Sequence, residues 1–298
     1  MRLLPGTLLT ALCALSSVQA ETVVNHAQGE TTLSGQPETV LTFDIASLDT
    51  LDALGVEVDG MPKAFLPPRL SHYSDDRYTN IGSLFEPDFE TVASMDPDLI
   101  IVANRSSTAY DDLNKLAPTI DMTVWGEGFL DQFKATTRTL AAIFDKTDEA
   151  EQRLDALDAR VEQARTLAAE TGEALVVMTS GGKLTAYGPG SRFGWIHDDL
   201  GLATAVTDLE EGTHGDPISF EYLLETDPEV IFVIDRDGAI DPANQAARAT
   251  LDNDLVKRTR AYQNDRIVYL DSVNWYIVMS GLPAVEQMVE EVIAGLSS

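Results

Sequence analysis

Buried-strand and helical patterns alternate along most of the chain. Thr39-Val-Leu-Thr-Phe-Asp44 reads as a strand, and Ser47 to Leu54 as a short helix with Ser47 as its N-cap and Gly55 as its stop. Pro62, Pro67 and Pro68 mark a loop. Phe89 to Met95 is helical, and after an Asp-Pro turn Leu99 to Ala103 is a continuous apolar run, the pattern of a strand covered on both faces. Leu113 to Leu116 fits a further helix, with Pro118 at its exit. From Asp148 to Glu170 there is no Gly or Pro. Leu154, Leu157, Val161, Ala164, Leu167 and Ala168 fall there at helical spacing, so one long helix is predicted, ended by Gly172. Beyond it Ala174 to Met178, Val230 to Ile234 and Ile267 to Leu270 read as strands, Phe220 to Glu225 as a helix, and Leu282 to Leu296 as an amphipathic closing helix.

Strands alternating with helices predict an α/β protein with mostly parallel sheets. The long helix can join two such Rossmann-like lobes. The division is then 21–145 for the first lobe, 146–171 for the linking helix and 172–298 for the second lobe. A matched segment occurs in each lobe. Phe89-Glu90 leads through Asp-Pro and an apolar run to Arg105, and Phe220-Glu221 leads through Asp-Pro and an apolar run to Arg236. In parallel sheets ligands sit beyond the carboxyl ends of the strands. The two arginines therefore belong at facing edges of one cleft.

Charge sharpens that reading. The chain of 298 residues has 49 acidic against 20 basic residues, a formal charge of −29. No basic stripe exists for nucleic acid, and anionic lipid would be repelled. An anionic ligand would be repelled too, unless cations gather locally, so each clustered arginine carries weight. Residues 1–20 have the form of a secretory signal: Arg2, an apolar stretch to Leu15, and a small-x-small end at Val18-Gln19-Ala20. Its removal takes one basic residue and no acid, leaving −30. The sole cysteine, Cys13, lies inside it after Leu12, which is not the small residue a lipid-modified cysteine follows. The expectation is an unanchored, monomeric periplasmic protein.

Other candidate residues are Arg192 in the turn Gly188-Pro-Gly-Ser-Arg-Phe-Gly194, His214 between small residues in Gly212-Thr-His-Gly215, Asn104 before Arg105, and Trp275-Tyr276 after the last strand. Each alone has an ordinary reading: a strand-end arginine pairs with a carboxylate such as Asp235 or Asp237, and a lone tyrosine packs. Enzyme motifs are missing. Pro189 occupies the first glycine position of a G-x-S-x-G elbow, and Val177 the first glycine position of a P-loop. No H-E-x-x-H occurs, and the four histidines are scattered. No catalytic residue is nominated.

Taken jointly, these motifs resemble the periplasmic ferric-siderophore binding proteins of ABC iron importers, in the branch that takes catecholates of the petrobactin type. The resemblance spans the mature chain. It runs from Val24-Asn-His-Ala-Gln-Gly29 through Asp96-Pro-Asp-Leu-Ile-Ile-Val102 and Ala117-Pro-Thr119, and is sharpest in Gly190-Ser-Arg-Phe-Gly194, Gly212-Thr-His-Gly215, Ile231-Phe-Val-Ile-Asp-Arg236 and Trp275-Tyr276. It implies the class III, helical-backbone fold with two lobes on one long helix. It implies ligand contacts at Arg105, Arg192 and Arg236, with Asn104 (where the branch commonly has Gly) and Trp275 beside them. It implies iron ligation by His214 and Tyr276, and docking of Glu90 and Glu221 on a permease dimer. The Fe(III)-siderophore would be cargo, with no permanent cofactor. Haem, cobalamin or divalent-metal binding on the same fold, and an exported hydrolase opening an ester-linked siderophore, are the competing readings.

Overall fold

The computed structural model describes residues 21–206, 209 and 214–297. The expected signal segment with Cys13 lies outside these residues, as do Gly212 and Thr213 of the histidine turn. The described chain opens on an antiparallel hairpin, β1 (Glu21–His26) and β2 (Gly29–Ser34). It leans on the edge of the first sheet, where Thr31 Oγ1 donates to Thr119 O at 2.7 Å and Ala27 N to Asp121 O at 3.0 Å.

That sheet holds β3 (Val40–Thr42), β4 (Gly60–Met61), β5 (Thr79–Asn80), β6 (Leu99–Val102) and β7 (Thr119–Asp121), all parallel in the order β5-β4-β3-β6-β7. Every residue of β6 is buried, which is why its sequence is an unbroken apolar run. After β3 the helix Ile45–Ala53 begins earlier than its pattern predicted. Its cap is Asp44, not Ser47: the Asp44 carboxylate accepts from Ser47 N at 2.8 Å and from Ser47 Oγ at 2.7 Å. A carboxylate reaches the free amides of a first turn as well as a hydroxyl does, so either residue fitted the pattern. The predicted helix at Leu113 to Leu116 lies one turn earlier, at Tyr110–Leu113.

The helix Phe129–Ile143 leads into the long helix Thr147–Glu170, 24 residues and about 36 Å. Its buried stripe is Ala150, Leu154, Leu157, Val161, Ala164 and Ala168, while Leu167 is only half-buried. The second sheet comprises β8 (Ala174–Ser180), β9 (Lys183–Tyr187), β10 (Asp216–Ile218), β11 (Val230–Asp235) and β12 (Ile267–Tyr269) in the order β10-β9-β8-β11-β12. β8, β11 and β12 are parallel, but β9 and β10 are antiparallel additions. The reversal is local: Gly181 and Gly182, with φ of 55° and 74°, form the two-residue turn that folds β9 back on β8.

The long helix is not the only link between the lobes. The closing helix Leu282–Leu296 lies against it and also against the helix Ile45–Ala53 of the first lobe. Arg153 on the long helix holds Glu286 at 2.9 and 2.5 Å and the Ala53 carbonyl at 3.3 Å. Asp49, 1% exposed, receives both arms of Arg69 at 2.5 and 2.8 Å and the Ala284 amide at 3.1 Å. Arg69 also donates to Asn274 Oδ1 at 2.9 Å, and Leu282 N to Thr50 Oγ1 at 3.0 Å. The seam is thus hydrogen-bonded from both sides. Two lobes, each with a largely parallel sheet, meet across it.

Candidate functional site

Between β12 and the closing helix the chain makes one wide helical turn of π type, Val273–Val278, and leaves it at Met279 with φ 59°. The Asp271 carboxylate starts it by accepting from Asn274 N at 2.9 Å. Insertions of this type recur at functional sites. This one carries Tyr276, and its last carbonyls have no onward helix to bond.

Three arginines converge there. Arg105 lies just past β6, where Asn104 adopts φ 48°, a conformation asparagine tolerates better than most residues. Its guanidinium donates to Tyr276 O at 2.6 Å and Ile277 O at 3.3 Å. Arg192 comes from the glycine-rich turn, whose closure demands glycine at 194: a Cβ there would sit 2.6 Å from the Gly188 carbonyl. It donates to the same Tyr276 carbonyl at 2.7 Å and to Met279 Sδ at 3.0 Å, with its Nε buried and unpaired. Arg236 follows β11 and donates to Tyr276 Oη at 2.9 Å and to Ser180 Oγ at 3.2 Å. All three guanidiniums face the Tyr276 ring, at 5.6, 4.5 and 5.6 Å from its centre.

The ordinary reading of Arg236, pairing with a neighbouring carboxylate, holds for Asp237 alone, at ion-pair distance and without a hydrogen bond. Asp235 is consumed by backbone amides of Gly238, Ala246 and Ala247 at 3.0, 2.7 and 2.8 Å. Asp237 accepts from Gly181 N at 2.6 Å and lies 3.9 Å from the guanidinium. The cluster therefore keeps a surplus of positive charge. Burial, and the Arg105 charge beside it, push the Arg192 guanidinium down to about 10, so it stays cationic at neutral pH. Burial also lowers Arg105, against the pull of Tyr276 and Asp44. For Tyr276 burial pushes the pKa up, but the Arg236 hydrogen bond and the three arginine charges outweigh it and hold the phenol below the ordinary tyrosine value.

Of the remaining sequence candidates, His214 is exposed in the turn before β10. Gly215 packs so closely that a Cβ would lie 2.5 Å from Ala186 O and 2.9 Å from the Tyr187 ring, which pins this turn to the end of β9. Among the described residues no cluster of three metal-ligating side chains exists. Asn104 donates its amide to Thr123 Oγ1 at 2.8 Å, and its side-chain oxygen is buried without a partner. Trp275 is a correction. Its ring is 1% exposed, stacked on Trp195 at 5.2 Å, with Nε1 donating to Glu291 at 2.8 Å. It is core, because neighbours on a helical turn point in different directions. Trp125, half-buried and 5.9 Å from Arg192, is the tryptophan at the site, and sequence reading missed it along with Ser180 and Met279. Its place after β7, at the carboxyl edge of the sheet, was the available signal. Glu90 and Glu221 are exposed in the first turns of Phe89–Ser94 and Phe220–Thr226, capped by Asp88 and Ser219.

Fold and site together define a two-lobed ligand-binding protein with a cationic, aromatic cleft. Residues 40–273 match the periplasmic binding protein family, a family of substrate-binding proteins, and the chain belongs to it. It is 42% identical over 263 residues to the petrobactin-binding protein YclQ of Bacillus subtilis, covering 87% of this chain and 83% of that one. The crystal structure of YclQ superposes with a TM-score of 0.90 at 40% identity over 94% of this chain and 100% of that one. The periplasmic catecholate-siderophore binding protein VctP of Vibrio cholerae gives 0.88 at 38% identity over 92% and 100%. The ferric-anguibactin-binding protein FatB of Vibrio anguillarum is 29% identical over 290 residues, 95% of this chain and 90% of that one.

An alkaline titration followed by tyrosinate absorbance will show one tyrosine ionising ahead of the rest and absent in Tyr276→Phe, while Tyr187, pushed up by burial to about 12, ionises late. Because folding lowers the Tyr276 pKa, its phenolate adds stability fully above the ordinary value of about 10 and loses it as pH falls through the folded value. Stability to denaturant across that interval will rise with pH in wild type more than in the variant.

Proposed function

We propose that this protein captures a ferric catecholate siderophore between its lobes in the periplasm and delivers it to the permease dimer of an ABC importer, performing no chemistry on it. One observation carries the reading: three guanidiniums meet at one tyrosine, and a single carboxylate, Asp237 at 3.9 Å from Arg236, is ion-paired with them among the described residues. Fe(III) wrapped by three catecholates has three units of negative charge, which three arginines balance. Planar guanidinium forks match paired catecholate oxygens, and their faces can lie on the rings. A surface of net charge −29 repels such an anion everywhere else. The ligands named for YclQ, VctP and FatB support the class.

A bis-catecholate ligand leaves two iron positions open. The Tyr276 phenolate, already favoured by its three cations, and the His214 imidazole would fill them. Arg105 and Arg192 are held meanwhile on the Tyr276 and Ile277 carbonyls, so binding exchanges those bonds for ligand oxygens. The protein acts as a monomer with no resident cofactor, and the leader ending at Ala20 is cleaved without lipid attachment at Cys13. Glu90 and Glu221, exposed at equivalent places in the two lobes, are the proposed permease contacts.

Fluorescence titration, with Trp125 beside Arg192 as the reporter, will show quenching by ferric bis- and tris-catecholates and none by ferric hydroxamate, haem or Zn(II). Arg192→Gln and Arg236→Gln will each weaken catecholate binding roughly 10- to 100-fold, the loss of a charged hydrogen bond of about 1.5–3 kcal/mol. Quenching by haem or zinc alone would move the ligand to one of the competing classes. Reversal of both Glu90 and Glu221 to Lys will abolish transport by the cognate importer while leaving ligand affinity intact; transport that survives rejects the docking role.

A further inference from the structure

A separate cavity of about 580 Å³ opens between the lobes, and none of Arg105, Arg192, Arg236 and Tyr276 lines it. Its volume is that of a pocket for a small molecule, and such pockets favour boundaries between domains. Leu66, Pro67 and Pro68 line it from the first lobe, and Val233, Tyr269 and Val273 from the second. The second-lobe wall is built on the carboxyl ends of β11 and β12, the edge at which parallel sheets place ligands.

The charged side chains on that wall are committed, with one exception. Asp235 accepts from the Gly238, Ala246 and Ala247 amides at 3.0, 2.7 and 2.8 Å. Asp271 accepts from Asn274 N at 2.9 Å, and Arg69 is taken up by Asp49 and Asn274. The Asp235 bonds fix the start of the short helix Ala247–Leu251, whose second residue is Arg248. Arg248 is the exception. Its guanidinium lies over the Tyr269 ring, 3.9 Å from the centre, and has no hydrogen bond or ion pair among the described residues. Most basic side chains of this acid-rich chain pair with a carboxylate. A contact with a ring face uses the charge of a guanidinium and leaves its N–H donors unspent. The cavity thus combines apolar walls with one free fork.

We propose that this cavity is a second binding site, for a small organic anion with one carboxylate on an apolar body. The carboxylate takes the Arg248 fork, and the body lies against the walls formed by Leu66, Pro67, Pro68 and Val273. Two features set the class. One free guanidinium matches one carboxylate in paired geometry, and it does not balance the three negative charges of a ferric tris-catecholate. The apolar walls give nothing to a bare inorganic ion, which would lose its hydration there. The site is independent of the catecholate reading.

Isothermal titration of the purified protein with benzoate, benzamide and acetate tests it. Benzoate has both features, benzamide keeps the body without the charge, and acetate keeps the charge without the body. Benzoate will bind saturably at one site, and the other two roughly tenfold more weakly or worse. Arg248 is solvent-exposed, so its replacement leaves the core intact. Arg248→Gln will weaken benzoate binding about 10- to 100-fold, the loss of a charged hydrogen bond, and Arg192→Gln will leave it unchanged. No saturable benzoate binding, equal affinity for benzamide, or wild-type affinity in Arg248→Gln would overturn the inference. Loss of benzoate binding in Arg192→Gln would overturn it too, by moving the anion to the arginine cluster. Each of these failures leaves the catecholate reading standing.

Discussion

The site depends on one arrangement: two guanidiniums share the Tyr276 carbonyl, and a third holds the Tyr276 hydroxyl. Like charges brought this close repel, and burial penalises Arg105 and Arg192. What offsets the cost is the carbonyl end of a helical turn, where unbonded oxygens and the dipole favour cations, together with the face of an electron-rich ring. The π turn is the reason the carbonyl is free. An ordinary helix running on through Tyr276 would have bonded that oxygen to its own backbone. The cationic cleft and the irregular turn are therefore one feature, and Met279, forced into positive φ, is where the chain leaves it.

The turn needs a rigid frame, and the seam provides it. Asp49 and Arg69 reach from the first lobe to Asn274 inside the turn and to the start of the closing helix. Trp275 anchors the other side through the stack Phe129–Trp195–Trp275 and its bond to Glu291. Buried carboxylate–guanidinium pairs are costly to break, about 3–5 kcal/mol when one partner is lost. With two links between lobes instead of one, wide opening would pull Asn274 and the Ala284 amide away from Arg69 and Asp49 and bend the long helix as well. Ligand entry by small adjustments of side chains and rim loops fits that constraint better than a large hinge motion.

Much of this was legible in the sequence where one physical rule acts alone. Continuous apolar runs marked β6 and β11, and the long and closing helices followed from spacing. The matched segments placed Arg105 and Arg236 on facing strand ends. Where two rules compete, the pattern was less informative. Asp44 and Ser47 both make good caps, and only the fold selects Asp44. Trp275 and Tyr276 are adjacent aromatics, and nothing in their types says which faces the cleft. β9 was not among the strands expected from the pattern, and its reversed direction is set by the Gly181-Gly182 turn. Trp125 has no periodic signal, and its meeting with Arg192 is a long-range contact. The Gly-Thr-His-Gly turn lies partly outside the described residues, so the placement of His214 against the iron is carried by proposal alone.

The central claim is that Tyr276, held by three arginines, is the point where the ligand's iron meets the protein. The most direct measurement is the visible charge-transfer spectrum of a ferric bis-catecholate complex as it binds wild type and Tyr276→Phe. If phenolate enters the coordination sphere, the band of the bound complex will shift from its free position in wild type and stay there in the variant, which still binds through its arginines. The same shift in both proteins, or no shift in wild type, would contradict the account.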